Sequence, residues 1–316
     1  MREVLAWRRK VDDELVALLE KQRLNAHQLH VLSLGIQHEQ QHQELLWMDI
    51  KYILGMQPAA PAYASSAELQ CAAPAPLNWL MMPEGFYELG AGTGFSFDNE
   101  RPRHRQWRGA HVMANRLITN AEFLEFVADD GYRRPSLWLS DGWSWLQQNN
   151  VRHPLYWRNS NEGWMEYQLS GLKPLELNLP VSHISYYEAE AFARWYDARL
   201  PDECELENFL HRYAETEPWN YGWSPGAPLY PEAAADRVGN GALWQWTASA
   251  YAPYPGYVAE AGALGEYNGK FMCNQYVLRG GCFATPRGHM RHSYRNFYRA
   301  HDRWAFTGIR LAKTSS

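Results

Sequence analysis

The segment His38-Glu39-Gln40-Gln41-His42, inside GIQHEQQHQELLWMDI, places two histidines four residues apart. On a helix, residues at that spacing share a face and lie about 6 Å apart in rise, so both rings can direct a nitrogen at one metal ion. The other histidines of the same stretch cannot join them: His27 and His30 lie about 16 and 12 Å before His38 at 1.5 Å per residue. The letters also spell H-E-x-x-H, in which a zinc protease uses the glutamate as general base and adds a third ligand further on. Here Leu-Leu-Trp-Met follows at 45 to 48 without a glycine turn, and Glu39 lies about 100° around the helix from His38. The pair therefore reads as metal-binding without the protease's remaining parts, and two histidines hydrogen-bonded at a helix interface would give the same spacing.

A helix must hold this pair. Val4, Leu5, Val11, Leu15, Leu18 and Leu19 recur at spacings near three, four and seven, which predicts an amphipathic helix over 2–22. Asn25 is placed to cap a second helix running to about Leu54, with Gly55 as its stop. The stretch from 57 to 78 is rich in Ala, Pro and Ser and reads as a linker. From Trp79 the texture becomes short segments broken by Gly, Pro, Asn and Asp, with helical stretches such as SYYEAEAFARWYDARL. The expected organisation is a helical hairpin over 1–56, the linker, and an irregular α+β domain over 79–316.

The totals narrow the function classes. With 316 residues, 46% of them hydrophobic, the chain can bury a sizeable core. Lys+Arg 30 against Asp+Glu 35 gives a net charge of -5, which argues against a nucleic-acid or acidic-membrane surface and for small-molecule partners. No apolar run reaches the roughly 20 residues of a membrane span, and the N-terminus is charged where a secretory signal is apolar, so a cytoplasmic protein is expected. The four cysteines, Cys71, Cys204, Cys273 and Cys282, form no CxxC and read as reduced thiols.

LGIQHEQQHQELLWMDIKYIL resembles the iron-binding helix of the DinB-like domain in the ergothioneine-biosynthesis sulfoxide synthases, the EgtB family. Later segments, among them FSFDNERPRHR, PVSHISYYEAEAFARWYDARLP, LWQWTASAYAPYPGY and VLRGGCFATPRGHMRHSYRNFYRAHDRWAFTGIRLA, resemble that family's formylglycine-enzyme-like, C-type-lectin-related domain. The resemblance covers almost the whole chain. It implies a non-haem Fe(II) held by three histidines of a four-helix bundle, and an O2-dependent joining of a thiol sulfur to C2 of the imidazole of hercynine (trimethyl-histidine) as a sulfoxide.

Carried over residue by residue, His38 and His42 match two of the iron ligands. The third is expected upstream, yet Met1 lies only 37 residues before His38 and no histidine precedes His27. A hairpin is also half a bundle, so self-association through its apolar surface is expected, and iron binding by the chain as it stands should be weak. Gln41 and Asn296 match positions that contact the ammonium-carboxylate end of hercynine. Phe297, Trp244 and Trp246 offer aromatic faces to its trimethylammonium. Tyr254 and Tyr257, in YAPYPGY, are candidates for the family's proton-donating tyrosine. Arg295, Arg299 and Arg303 could bind the carboxylate of the thiol substrate. Tyr298, Arg299, His301, Asp302 and Arg303 depart from the mycobacterial pattern after the RN dipeptide, which puts γ-glutamylcysteine in doubt and keeps free cysteine open. The competing readings are a catalytically dead or truncated paralogue acting as a binding module, a selenoneine synthase, a formylglycine-generating oxidase and a zinc protease.

Overall fold

A computed structural model of the chain describes residues 1–65, 73–213, 230–231, 241–286 and 288–315. Cys71 and part of the expected linker lie outside the described residues. The chain divides into two compact units, Met1–His42 and Gln43–Ser316.

The first unit holds helix α1, Arg2–Glu20, and the start of helix α2, Ala26–Gly55. Asn25 caps α2 as expected: its Oδ1 accepts from the Gln28 N–H at 2.9 Å, and the Gln28 side chain accepts from the Asn25 N–H at 3.0 Å. The first helix stops two residues short of the expected 22, where Gln22 turns the chain with φ 49. No residue of α1 is buried.

The second unit begins with the end of α2, which buries Glu44, Met48, Lys51 and Gly55 at spacings of four, three and four, one helical face. Strands β1 (Trp79–Met82), β2 (Gly85–Leu89), β3 (His104–Arg108) and β4 (His111–Ala114) follow. Next come α3 (Asn120–Ala128), α4 (Ser140–Gln148), and β5 (Trp157–Ser160), β6 (Gly163–Gln168) and β7 (Gly171–Pro174). Helices α5 (Tyr186–Trp195) and α6 (Glu203–Tyr213) precede β8 (Trp244–Ala250), β9 (Gln275–Arg279), β10 (Asn296–Arg299), β11 (Thr307–Gly308) and β12 (Ala312–Thr314). This is the expected α+β texture.

The strands form small sheets, ordered β1-β4-β12, β10-β9-β8-β11, β2-β3 and β5-β6-β7. Short local signals start the helices between them. Thr119 with Glu122 and Ser185 with Glu188 are capping boxes at α3 and α5. Helix α6 is laid on the β1-β4-β12 sheet by Leu206, Phe209 and Leu210, which pack with Met82, Met113 and Ala312. Among the described residues no helix is long and apolar enough to cross a membrane.

Candidate functional site

Helix α2 delivers the pair its spacing promised. His38 Nε2 and His42 Nε2 lie 3.2 Å apart, with ring centroids 4.5 Å apart and planes at 82°. Two nitrogens in adjacent positions of an octahedral ion, each bonded at about 2.1 Å, are about 3 Å apart, so the pair fits one edge of a metal's coordination shell. Burial, then the neighbouring His42, hold His38 below the usual histidine range, against an opposing pull from Glu39. Neutral imidazole is the form a metal takes. Among the described residues no group of three or more His, Cys, Asp or Glu is gathered to hold a metal. Among the described residues, His38 and His42 are the candidate ligands that lie together, two where the resemblance implies three. Gln41, half-buried, lies between them in sequence on the same helix.

In the second unit, the β8-β9-β10 sheet sorts the other candidates by face. Trp246 pairs with Leu278 and Leu278 with Asn296, so these three form one row across the sheet and point to one side. Trp244 and Tyr298, two residues along their strands, share that side. It is the side on which the end of α2 docks. Trp244 Nε1 donates to Glu44 at 2.6 Å, and the Tyr298 hydroxyl lies 3.8 Å from the Met48 sulfur. Both tryptophans are 0% exposed, and Trp246 Nε1 donates to the Ile184 carbonyl at 3.0 Å. Phe297 and Arg299 point to the opposite side, where Phe297 stacks on Tyr251 at 4.1 Å. The register thus places Asn296 on the same face of the sheet as Trp244 and Trp246, with β9 between them, and Phe297 on the other face.

The two tyrosines sit in different surroundings. Tyr254 is buried, donates to Glu203 Oε2 at 3.1 Å and accepts from Arg279 Nη2 at 2.7 Å. Burial lifts its phenol well above 10. Tyr257 is half-buried and donates to Asp98 Oδ2 at 3.0 Å; partial burial and the Asp98 charge push it up to about 12. Both keep their protons at neutral pH. The arginines divide similarly. Arg295 is fully buried against Glu203 at 2.9 Å, and Arg303 reaches Glu188 at 3.2 Å. Arg299 is exposed and makes no side-chain ion pair among the described residues.

A family profile described as sulfatase-modifying factor enzyme 1-like domain matches residues 66–229 and 230–315. Hercynine oxygenase of Mycobacterium tuberculosis is 30% identical over 309 residues, covering 89% of this chain and 71% of that protein. The chain belongs to the hercynine oxygenase family. The Mycolicibacterium smegmatis hercynine oxygenase is 29% identical with the same coverage. Ergothioneine biosynthesis protein 1 of Schizosaccharomyces pombe is 29% identical over 231 residues, 69% of this chain and 28% of that protein.

In this hercynine oxygenase family member, the polar residues that fasten α2 carried no local signal. Glu44 accepts from Trp244 and, at 2.6 Å, from the Thr285 hydroxyl; burial raises its carboxyl, and bonds from Thr285, Trp244 and Cys282 draw it down. Lys51 Nζ lies 2.8 Å from His183 Nε2 and 4.9 and 5.7 Å from the Tyr156 and Phe306 ring centres. Glu44 and Lys51 lie seven residues apart, on one face of the helix, but charged residues at such positions read as solvated. Glu203 was missed too. Burial would raise its carboxyl, yet Arg295 and Arg279 hold it low. It ties Tyr254, Arg279 and Arg295 into one buried network. Cys282 is buried, and that burial, with Glu44 nearby, lifts its thiol well above the usual range, the opposite of a reactive cysteine.

Proposed function

We propose that this chain takes part in ergothioneine-type sulfur chemistry as a sulfoxide synthase, joining the sulfur of cysteine or γ-glutamylcysteine to C2 of the hercynine imidazole with Fe(II) and O2. The observation that carries the reading is the identity to hercynine oxygenases across 89% of the chain. The histidine spacing of 3.2 Å supports it independently.

His38 and His42 would hold the iron in two adjacent positions. Bound there, iron supplies a single centre at which a thiolate, dioxygen and an imidazole can be held together. Gln41, on the same helix as the two histidines, offers an amide group for the ammonium-carboxylate end of hercynine. Arg299 is exposed and makes no side-chain ion pair among the described residues, so its guanidinium could take a carboxylate bidentately, although it lies on the sheet face opposite Asn296. Tyr257 holds a proton to about pH 12 in a half-buried position, which suits a donor better than Tyr254, whose hydroxyl is enclosed by Glu203 and Arg279.

Oxygen uptake and product mass are the test, with Fe(II), hercynine and each thiol in turn. A sulfoxide formed with consumption of O2 supports the synthase; hercynine binding without turnover would make the chain a binding module. Titration with Fe(II) addresses the ligand count. The two-histidine reading expects weak uptake that added imidazole strengthens, and tight stoichiometric uptake by the chain alone would overturn it.

A further inference from the structure

Tyr254-Pro255-Gly256-Tyr257 has the residues of a type II β-turn, with proline second and glycine third. It closes as one: the Tyr257 N–H donates to the Tyr254 carbonyl at 2.9 Å, and Gly256 takes φ 81. Tyr254 is buried and bonded to Glu203 and Arg279, so the turn starts from a fixed point and Tyr257 leaves it at a set place.

The phenol itself is held from elsewhere in the chain. Asp98 is 8% exposed, and its carboxylate accepts bonds from three residues of the connection between β8 and β9. Its Oδ2 accepts from the Tyr257 hydroxyl at 3.0 Å and from the Glu260 N–H at 3.4 Å, and its Oδ1 accepts from the Asn268 amide at 2.7 Å. Bonds to a carboxylate are charge-assisted and stronger than neutral ones. Gly269 completes the fit, because a Cβ there would stand 2.9 Å from the Tyr257 hydroxyl oxygen and push it from its place. All of these residues lie in Gln43–Ser316.

We propose that Asp98 is the positioning residue of Tyr257: its carboxylate fixes the place of the phenol and keeps the hydroxyl turned inward until a reacting oxygen competes for the proton. The inference rests on the reading of Tyr257 as proton donor in the proposed synthase. A hydroxyl pivots about its C–O bond, so delivery breaks the bond to Asp98 and leaves the ring where it stands. The O–H bond of Tyr257 then breaks, the proton goes to the reacting oxygen, and the phenolate recovers a proton from solvent, which its half-buried position admits. A phenolate beside the Asp98 carboxylate sets two like charges together, which favours that recovery.

Difluorotyrosine placed at 257 in the full chain gives the first test, since its phenol ionises at lower pH than tyrosine's and fluorine NMR follows it without iron, hercynine or turnover. Asp98→Asn removes the charge and keeps the shape, and is expected to make that phenol about tenfold easier to ionise. A titration unchanged by Asp98→Asn would overturn the hold. In turnover with Fe(II), hercynine and a thiol, Asp98→Asn, Gly269→Ala and Tyr257→Phe are each expected to lower kcat about tenfold or more with the KM for hercynine unchanged. Adding Asp98→Asn to Tyr257→Phe is expected to cost nothing further, because the two act as one unit. Full kcat in Tyr257→Phe, or losses that add, would refute the positioning role. A wild-type chain that forms no sulfoxide would sink the synthase reading and proton delivery with it, while the fluorine titration still reads the hold of Asp98 on Tyr257.

Discussion

Glu44 and Lys51 are both buried on one face of α2, and each meets a different kind of neighbour. Glu44 accepts two hydrogen bonds of 2.6 Å, from Trp244 and Thr285. Glu44→Ala would strand both donors in the interior at about 1–3 kcal/mol each, so a loss of about 2–5 kcal/mol is expected in urea unfolding. Glu44→Gln keeps one acceptor oxygen and should recover part of that loss; equal losses for the two variants would show that the bonds are not what holds the site. Lys51 has a neutral imidazole and two aromatic rings for company, and burial lowers its amine to about 8 despite the Glu166 charge. The native state therefore releases this proton between about pH 8 and 10.5, where the unfolded chain still holds it. Stability is expected to rise with pH across that window and to be lower by about 3 kcal/mol below it. Lys51→Met should flatten this rise and stabilise the protein near pH 7, as measured by urea midpoints from pH 6 to 10.5. His183 bends the profile at the other end. Burial and Lys51 depress its pKa, so stability falls as pH drops through about 6.5.

At the scale of elements, α2 shows what a sequence displays and what it hides. Asn25 caps it, Gly55 ends it, and the four-residue histidine spacing declares a face, all through contacts within a few residues. The capping boxes of α3 and α5 were equally open to view. How α2 docks was not, because Glu44 and Thr285 are 241 residues apart and Lys51 and His183 are 132 apart. No local periodicity links such partners, and a Glu and a Lys on a helix face read as its wet side. The site residues divide in the same way: RN in SYRNFYR marked Asn296, while the alternation of β10 that sends Phe297 to the other side needs the register with β9. Gly55 illustrates a packing requirement at the helix end. A Cβ there would meet the Tyr167 ring at 2.6 Å and the Tyr156 ring at 2.8 Å. Gly55→Val is expected to displace both rings and destabilise by about 1–3 kcal/mol, the range for overpacking, with tyrosine fluorescence and thermal unfolding as readouts. An unchanged melting temperature would mean that the rings yield freely.

Over the whole molecule, the candidate metal ligands and the buried core belong to different units. His38 and His42 lie in Met1–His42, whereas the fully buried side chains, from Met48 through Trp157, Trp244 and Trp246 to Phe306, lie in Gln43–Ser316. The contacts of Glu44 and Lys51 fall within that second unit as well. A chain starting at Gln43 is therefore expected to unfold cooperatively within a few degrees of the full chain, since a shift of more than that would require about 1 kcal/mol or more of lost interaction. The same chain should take up no Fe(II) above a His38→Ala, His42→Ala double variant of the full-length form. The two readouts are independent. Loss of cooperative folding would place stabilising contacts in the first 42 residues, and retained iron uptake would move the metal away from the histidine pair. Preserved folding with lost uptake is the outcome expected of a scaffold whose core does not depend on the segment proposed to bind the metal.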